Sequence, residues 1–227
     1  MRSALLLDLP LTEYRAALEL QRRCVAARQA GRISHDLAIL LEHPPVFTLG
    51  RRGGRDNLLA DEAELDRRGI AIVPIERGGD ITYHGPGQLV AYLIMNLNAA
   101  HFGVRELVAA LETVMVNTAA DWGVRAAGNP TYRGAWVGSR KLGSIGITVR
   151  RGITFHGLAF NVSTDLTPFT WINPCGIAGC TMTTLQRETG VAPDMVMARQ
   201  RLATHLGMEL ELDFRPAEIR EIEKALN

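Results

Sequence analysis

Lysine is almost missing from this sequence: among 25 lysines and arginines only Lys141 and Lys224 are lysine. Cysteine is scarce as well. Cys24, Cys175 and Cys180 are too few, and odd in number, for a disulfide framework. Cys175 and Cys180 have no second Cys/His pair at zinc spacing, so no metal is expected. Charge of one sign is lacking too. A formal net charge of +1 and a pI near 7.8 give no field to gather nucleic acid or a membrane surface. No apolar run approaches the ~20 residues of a membrane span, and the first residues lack the basic and long apolar regions of a signal peptide. Neither a Gly-x-Gly-x-x-Gly opening a helix nor a phosphate loop ending in Gly-Lys-Ser/Thr occurs. These absences lead to the expectation of a cytoplasmic, reducing location, with no cofactor.

What is present suits one domain over residues 1–227, long enough for a substantial core. Strand-like runs fall at Ser3 to Leu7, Leu37 to Leu41, Ile70 to Ile75, Leu89 to Leu97, Ala135 to Val137, Ser144 to Val149 and Ile153 to Val162. Helical periodicity is clear from Val104 to Trp122. Further helices are predicted from Leu11 to Ala30, closed by Gly31, and over Asp61–Arg68, Asp194–Leu206 and Pro216–Leu226. Arg150-Arg151-Gly152 turns one strand into the next. The order predicts an α+β fold, a mixed and largely antiparallel sheet with flanking helices, over a doubly wound nucleotide fold.

Between two of those strands lies Arg77-Gly78-Gly79-Asp80-Ile81-Thr82-Tyr83-His84-Gly85-Pro86-Gly87-Gln88. A hairpin would need only two turn residues. This segment instead reads as a long irregular loop whose glycines admit a ligand close to the backbone, beside Arg, Tyr and His hydrogen-bonding groups. A purely structural loop is the competing interpretation.

Lys141 follows directly on Arg140, in a chain that otherwise uses arginine. Lysine can lose its proton when desolvated, and arginine cannot. Regular strand alternation puts Lys141 in phase with Ile145, Ile147 and Val149, toward the apolar side, unless Gly143 or Gly146 introduces a bulge. A snorkelling edge lysine is the alternative. Asn173-Pro174-Cys175-Gly176-Ile177 places a thiol where proline and glycine can aim it. A thiol reacts as thiolate. An ammonium about 4 Å away, at an effective dielectric of about 20, favours that anion by about 4 kcal/mol. Cys24, in an amphipathic helix, reads as core. His84 and His156 are the histidines of interest, His156 with a satisfied core role as its alternative.

Together, Arg77-Gly-Gly-x-x-Thr-Tyr-His-Gly-Pro-Gly-Gln88, Gly138-x-x-Lys141-x-x-Ser144-Ile-Gly146, His156-Gly-Leu-Ala-x-Asn161 and Pro174-Cys-Gly176 resemble the octanoyl-acyl carrier protein:protein N-octanoyltransferases of lipoate biosynthesis. The four motifs occur in the family's order across roughly Leu37 to Leu185. The resemblance implies the fold of lipoate and biotin protein ligase catalytic domains. It also implies transfer of an octanoyl group from octanoyl-acyl carrier protein, through a thioester on Cys175, to a specific lysine of a lipoyl domain. Acceptors would be 2-oxoacid dehydrogenase subunits and the glycine cleavage H protein. Lys141 would promote the thiolate and shuttle protons. Arg77, Gly78, Gly79, Asp80, Ile81, Thr82, Tyr83, His84, Ser144, Ile145, Gly146, Gly157, Leu158 and Ala159 would line the acyl pocket, with Cys180 an extra thiol outside the chemistry. Thioester to amide is downhill, so no ATP is implied. An ATP-dependent ligase and a non-catalytic carrier-binding module are the competing functions. Arg51, Arg52 and Arg55 are candidate docking charges for an acidic carrier.

Overall fold

The computed structural model describes residues 1–226. The chain enters on β1 (Arg2–Leu11), crosses back through helix α1 (Tyr14–Gln29) and lays β2 (Asp36–Glu42) parallel to β1. It then leaves that sheet for β3 (Val46–Leu49), the short helix α2 (Glu62–Arg67), β4 (Ala71–Pro74) and β5 (Ile81–His84). These strands form a small sheet of their own in the order β4-β3-β5. β6 (Gln88–Ile94) rejoins the first sheet and is followed by α3 (Leu97–Ala100) and the long α4 (Val104–Ala120). Next come β7 (Ala127–Gly128), β8 (Gly134–Val137), β9 (Arg140–Arg150) and β10 (Ile153–Asn161), the last three each antiparallel to its predecessor. The chain finishes with β11 (Thr181–Met182), α5 (Leu185–Thr189), α6 (Met195–Glu209), β12 (Leu212–Ala217) and α7 (Ile219–Leu226).

The large sheet runs β12-β1-β2-β6-β10-β9-β8-β7, with β11 beside β9. It is mixed and largely antiparallel, as expected, with parallel pairing at β1·β12, β1·β2 and β9·β11. Its centre is covered on both faces. Leu89, Ala91 and Leu93 of β6 pack with Leu107, Leu111, Val114 and Met115 of α4 on one side. Val90, Tyr92 and Ile94 face the other, with Ala17, Cys24 and Val25 of α1 and Ile222 of α7. Burial on both faces is why β6 reads as an unbroken apolar run. Cys24 is core, and burial pushes its thiol up to about 12. The small sheet sets Phe47, Leu49, Ile81 and Tyr83 against Leu65, Phe169 and Ile172. Its other side meets Tyr14 and Leu18 of α1 through Val46, Val73 and Ile75.

Several boundaries differ from the sequence expectation. Leu11 belongs to β1, paired with Glu42, so α1 starts later, at Tyr14. Its end is as expected, with Gly31 at φ +74°. Leu97 opens α3 rather than closing β6. Pro216 lies in β12, an edge strand, where a residue without an N–H is tolerated, and α7 begins at Ile219. Ile81 to His84 form a strand inside the segment expected to be an irregular loop. Among the described residues no helix is long and apolar enough to cross a membrane.

Candidate active site

A cavity of about 180 Å³ opens between the α1-side face of the large sheet and the small sheet. Its base is two cross-strand rows, Ser144–Ala159–Val90 and Gly146–Gly157–Tyr92, contributed by β9, β10 and β6. Thr131, Tyr132 and Arg133 stand exposed at its rim, with Arg52.

Lys141 is 2% exposed, and its Nζ lies 3.5 Å from Cys175 Sγ. Ser144 Oγ is 4.0 Å from the same sulfur. The amine also sits over the Trp136 ring, 5.2 Å from its centroid. How β9 delivers the amine differs from the regular alternation expected. Ala135 pairs with Gly143 but Trp136 pairs with Lys141, so β9 carries one extra residue at Leu142. That bulge flips the phase. Lys141 joins the Ser144 and Gly146 face, while Leu142, Ile145, Ile147 and Val149 pack on the α4 side. Gly134 clears the path: a Cβ there would sit 3.0 Å from Lys141 Cε. The adjacent Arg140 points elsewhere, into a forked pair with Glu188 at 3.0 and 2.8 Å.

Cys175 sits on a single 3-10 turn, Pro174–Gly176, with φ +59° and ψ 19°. A left-handed non-glycine residue costs on the order of 1 kcal/mol and persists where surrounding bonds enforce it. Asn57 supplies those bonds. Its Nδ2 donates to Asp80 Oδ2 at 2.8 Å, its carbonyl accepts from Asn173 N at 2.8 Å, and its Oδ1 accepts from Asn173 Nδ2 at 3.3 Å. Asp80 Oδ1 in turn accepts from Ile81 N at 2.6 Å. The cysteine turn is thereby clamped to the start of β5.

Arg77 is 8% exposed and its Nη2 donates to Thr48 O at 2.8 Å and Thr48 Oγ1 at 2.7 Å. Its stem crosses the sheet where Gly146 leaves space, since a Cβ at 146 would lie 2.9 Å from Arg77 Cδ. The remaining wall is polar and aromatic. His84 Nδ1 donates to Gln88 Oε1 at 2.6 Å, leaving Nε2 unprotonated, and Gln88 Nε2 donates to Asn161 Oδ1 at 2.9 Å. His84 stacks on Tyr14, centroids 5.8 Å apart. His43 Nδ1 donates to Thr12 O and its Nε2 accepts from Tyr92 OH, both at 2.6 Å. Burial holds the imidazoles neutral: it lowers His43 to about 4, His156 to about 3, and His84 well below its ordinary value. It also pushes the Tyr92 and Tyr14 hydroxyls up.

The cavity gathers most residues named from the sequence. Arg77, Gly78, Gly79, Asp80, Thr82, His84, Lys141, Ser144, Ile145, Gly146, Gly157, Leu158, Ala159 and Cys175 all line it. Ile81 and Tyr83 do not, which corrects that expectation. β5 alternates, sending Thr82 and His84 toward the cavity and Ile81 and Tyr83 into the core beneath the small sheet. Of the docking candidates, Arg51 and Arg52 are exposed near the rim and Arg55 is paired with Glu62. Tyr14, Val90, Tyr92 and Ile177 also line the cavity and were missed, as was the Asn57 clamp. They come from distant segments with no motif of their own, so only the sheet register could have found them.

Comparison with known proteins gives a consistent picture. The model of the lipoyl protein ligase A/B catalytic domain family matches residues 13–207. An octanoyltransferase of Desulfotalea psychrophila is 49% identical over 199 residues, covering 87% of this chain and 89% of that one. Another, of Syntrophobacter fumaroxidans, is 39% identical over 227 residues, covering 100% and 99%. Among solved structures, a putative lipoate protein ligase of T. acidophilum superposes with a TM-score of 0.78 at 18% identity, covering 99% of this chain and 92% of that one. The biotin protein ligase of Aquifex aeolicus gives 0.55 at 12% identity, covering 99% and 72%. At such identities the two structures speak for the fold.

Proposed function

The chain belongs to the lipoyl protein ligase A/B catalytic-domain family and is an acyltransferase of the octanoyltransferase kind; from that premise we propose that it transfers octanoyl groups through a thioester on Cys175. The observation that carries the proposal is the 3.5 Å approach of the buried Lys141 amine to the Cys175 thiol in the wall of the cavity. The donor is octanoyl-acyl carrier protein, an acidic partner for which Arg51 and Arg52 offer opposite charge. In the first half-reaction the Cys175 thiolate adds to the donor thioester carbonyl. The tetrahedral intermediate expels the carrier thiolate, which takes a proton from the Lys141 ammonium. In the second, the amine of a lipoyl-domain lysine adds to the Cys175 thioester and gives its proton to the Lys141 amine, and the amide leaves as the Cys175 thiolate is restored. The acceptors are lipoyl domains, including those of 2-oxoacid dehydrogenases and the glycine cleavage H protein, and the pathway is lipoate biosynthesis in the cytoplasm.

Between the two half-reactions the eight-carbon chain lies over the Ser144–Ala159 and Gly146–Gly157 rows, each buried methylene contributing about 0.8 kcal/mol. The single domain comprises the whole chain, and the scheme requires no cofactor. The test is transfer to a lipoyl domain assayed with and without ATP, for the parent protein and Cys175→Ser. Octanoyl-carrier-dependent transfer that ignores ATP and vanishes in the variant is expected. Transfer that survives in the variant and demands free octanoate and ATP would replace the proposal with a ligase.

A further inference from the structure

His156 is the residue on this cavity wall whose geometry the transfer chemistry leaves unused. It lies within β10, where alternation sends Phe155 and Ala159 to the α1 side and Leu158 and Phe160 to the α4 side. Position 156 would fall with the second set. Its φ of +60° instead turns the ring back into the cavity, stacked on Phe155 at 4.8 Å and edge-on to Tyr92 at 6.2 Å. The strained backbone is held from α1, where Gln21 Oε1 accepts the His156 N–H at 2.8 Å. The ring is 2% exposed, yet neither Nδ1 nor Nε2 has a partner in the protein, and Arg77 Nε on the same wall is likewise unpartnered. Elsewhere on the cavity wall and behind it the polar rings are tied: His84 to Gln88, and His43, packed behind Tyr14, His84 and Tyr92, to Thr12 and Tyr92.

We propose that His156 is the polar end-stop of the acyl pocket and determines chain length. The inference rests on the octanoyl-transfer reading above. Its physical basis is a comparison of two effects. Each methylene buried against apolar wall gains a little, whereas a chain longer than octanoyl has to push against a ring that is already buried and whose two nitrogens offer an alkyl group no partner. Moving that ring off Phe155 and Tyr92 is an overpacking cost that outweighs the gain from the extra methylenes. Position fits the role. Ser144, beside Cys175, is three residues along β9 from Ile147, the partner of His156, which is about 10 Å at the strand's rise per residue. Eight carbons joined by seven zigzag bonds of about 1.5 Å span a similar reach. Neutral at ordinary pH because burial lowers it to about 3, the ring presents one donor and one acceptor to whatever arrives.

The experiment measures acylation of Cys175 by hexanoyl-, octanoyl-, decanoyl- and dodecanoyl-acyl carrier protein in the parent, His156→Gly and His156→Asn. Both replacements tolerate a positive φ. In His156→Gly the decanoyl-to-octanoyl rate ratio is expected to rise by about tenfold as the two extra methylenes regain their transfer free energy. His156→Asn, shorter but still polar, should shift the ratio less. A uniform fall for every chain length, with the ratio unchanged, would assign His156 a structural role and overturn the proposal. Absence of acylation in the parent with any donor would instead count against the transferase reading itself, so the two failures are distinguishable.

Discussion

Replacing Lys141 by methionine should make the protein more stable and chemically inert at once. The side chain is 2% exposed, and its amine has a sulfur at 3.5 Å and an aromatic face at 5.2 Å for neighbours, not a carboxylate. Burying a polar group with so weak a partner costs about 1–3 kcal/mol in proteins. Methionine follows nearly the same path with an apolar end, and exchange of a poorly compensated buried charge for a hydrophobe is often neutral or stabilising. A gain of about 1–2 kcal/mol is expected, which for a chain of this size raises Tm by about 2–8 °C. Acylation of Cys175 should fall by at least about 10²-fold, the scale of a lost general acid–base. Lys141→Arg makes the contrast. The broad guanidinium would have to fit where the buried amine already packs between the Cys175 sulfur and the Trp136 ring, so overpacking should cost about 1–3 kcal/mol. Circular-dichroism melts and single-turnover acylation read both quantities. A lower Tm for Lys141→Met, or acylation at the parent rate, would refute the reasoning, because the first would make the sulfur at 3.5 Å a strong partner for the amine rather than a weak one and the second removes its chemical role.

The clamp on the cysteine turn should matter for rate and for stability alike. Asn57→Ala is expected to cost about 1–2 kcal/mol in urea denaturation. It should slow acylation by about tenfold through misplacement of Cys175, and an unchanged rate would show that the turn holds itself. Ile81→Ala should do the reverse: a loss of about 2–5 kcal/mol from the core under the small sheet, with no change in the KM for the octanoyl donor. A raised KM would return Ile81 to the pocket wall. His43 links stability to pH. Its folded pKa of about 4 lies below the unfolded value of 6.5, so the unfolded state binds the proton first, and stability is lost as pH falls through 6.5 toward 4. At pH 5 the loss amounts to about 2 kcal/mol relative to pH 7, and His43→Gln should shrink that difference. An equal pH dependence in the variant would show that other groups carry it.

The parts of the molecule visible in the sequence are those fixed by local rules. Val104 to Ala120 repeats apolar residues at helical spacing, Gly31 marks the end of α1 through its positive φ, and Arg150-Arg151-Gly152 turns β9 into β10. What stayed hidden depends on partners distant in sequence. The parallel pairing of β1 with β2 follows from the α1 crossover, and β12 is a strand because Leu212 to Ala217 find the free edge of β1. The same division holds in the cavity. Lys141, Cys175 and the Arg77–His84 segment stood out by residue type. The direction of Lys141 turned on one bulge residue, Leu142, and Ile81 and Tyr83 were misassigned because four residues of β5 looked like loop. His156 shows the limit most clearly. Its side follows from a single left-handed φ imposed by a glutamine 135 positions away.

The central claim is that Cys175 carries the acyl group. Its most direct test is intact-protein mass spectrometry after mixing the protein with octanoyl-acyl carrier protein in the absence of ATP, then adding an apo lipoyl domain. The account predicts one octanoyl adduct on the parent, none on Cys175→Ala, and loss of the adduct as the lipoyl domain gains the same mass. A lipoyl domain that becomes octanoylated while no adduct ever forms on the protein, or an adduct that persists in Cys175→Ala, would contradict it.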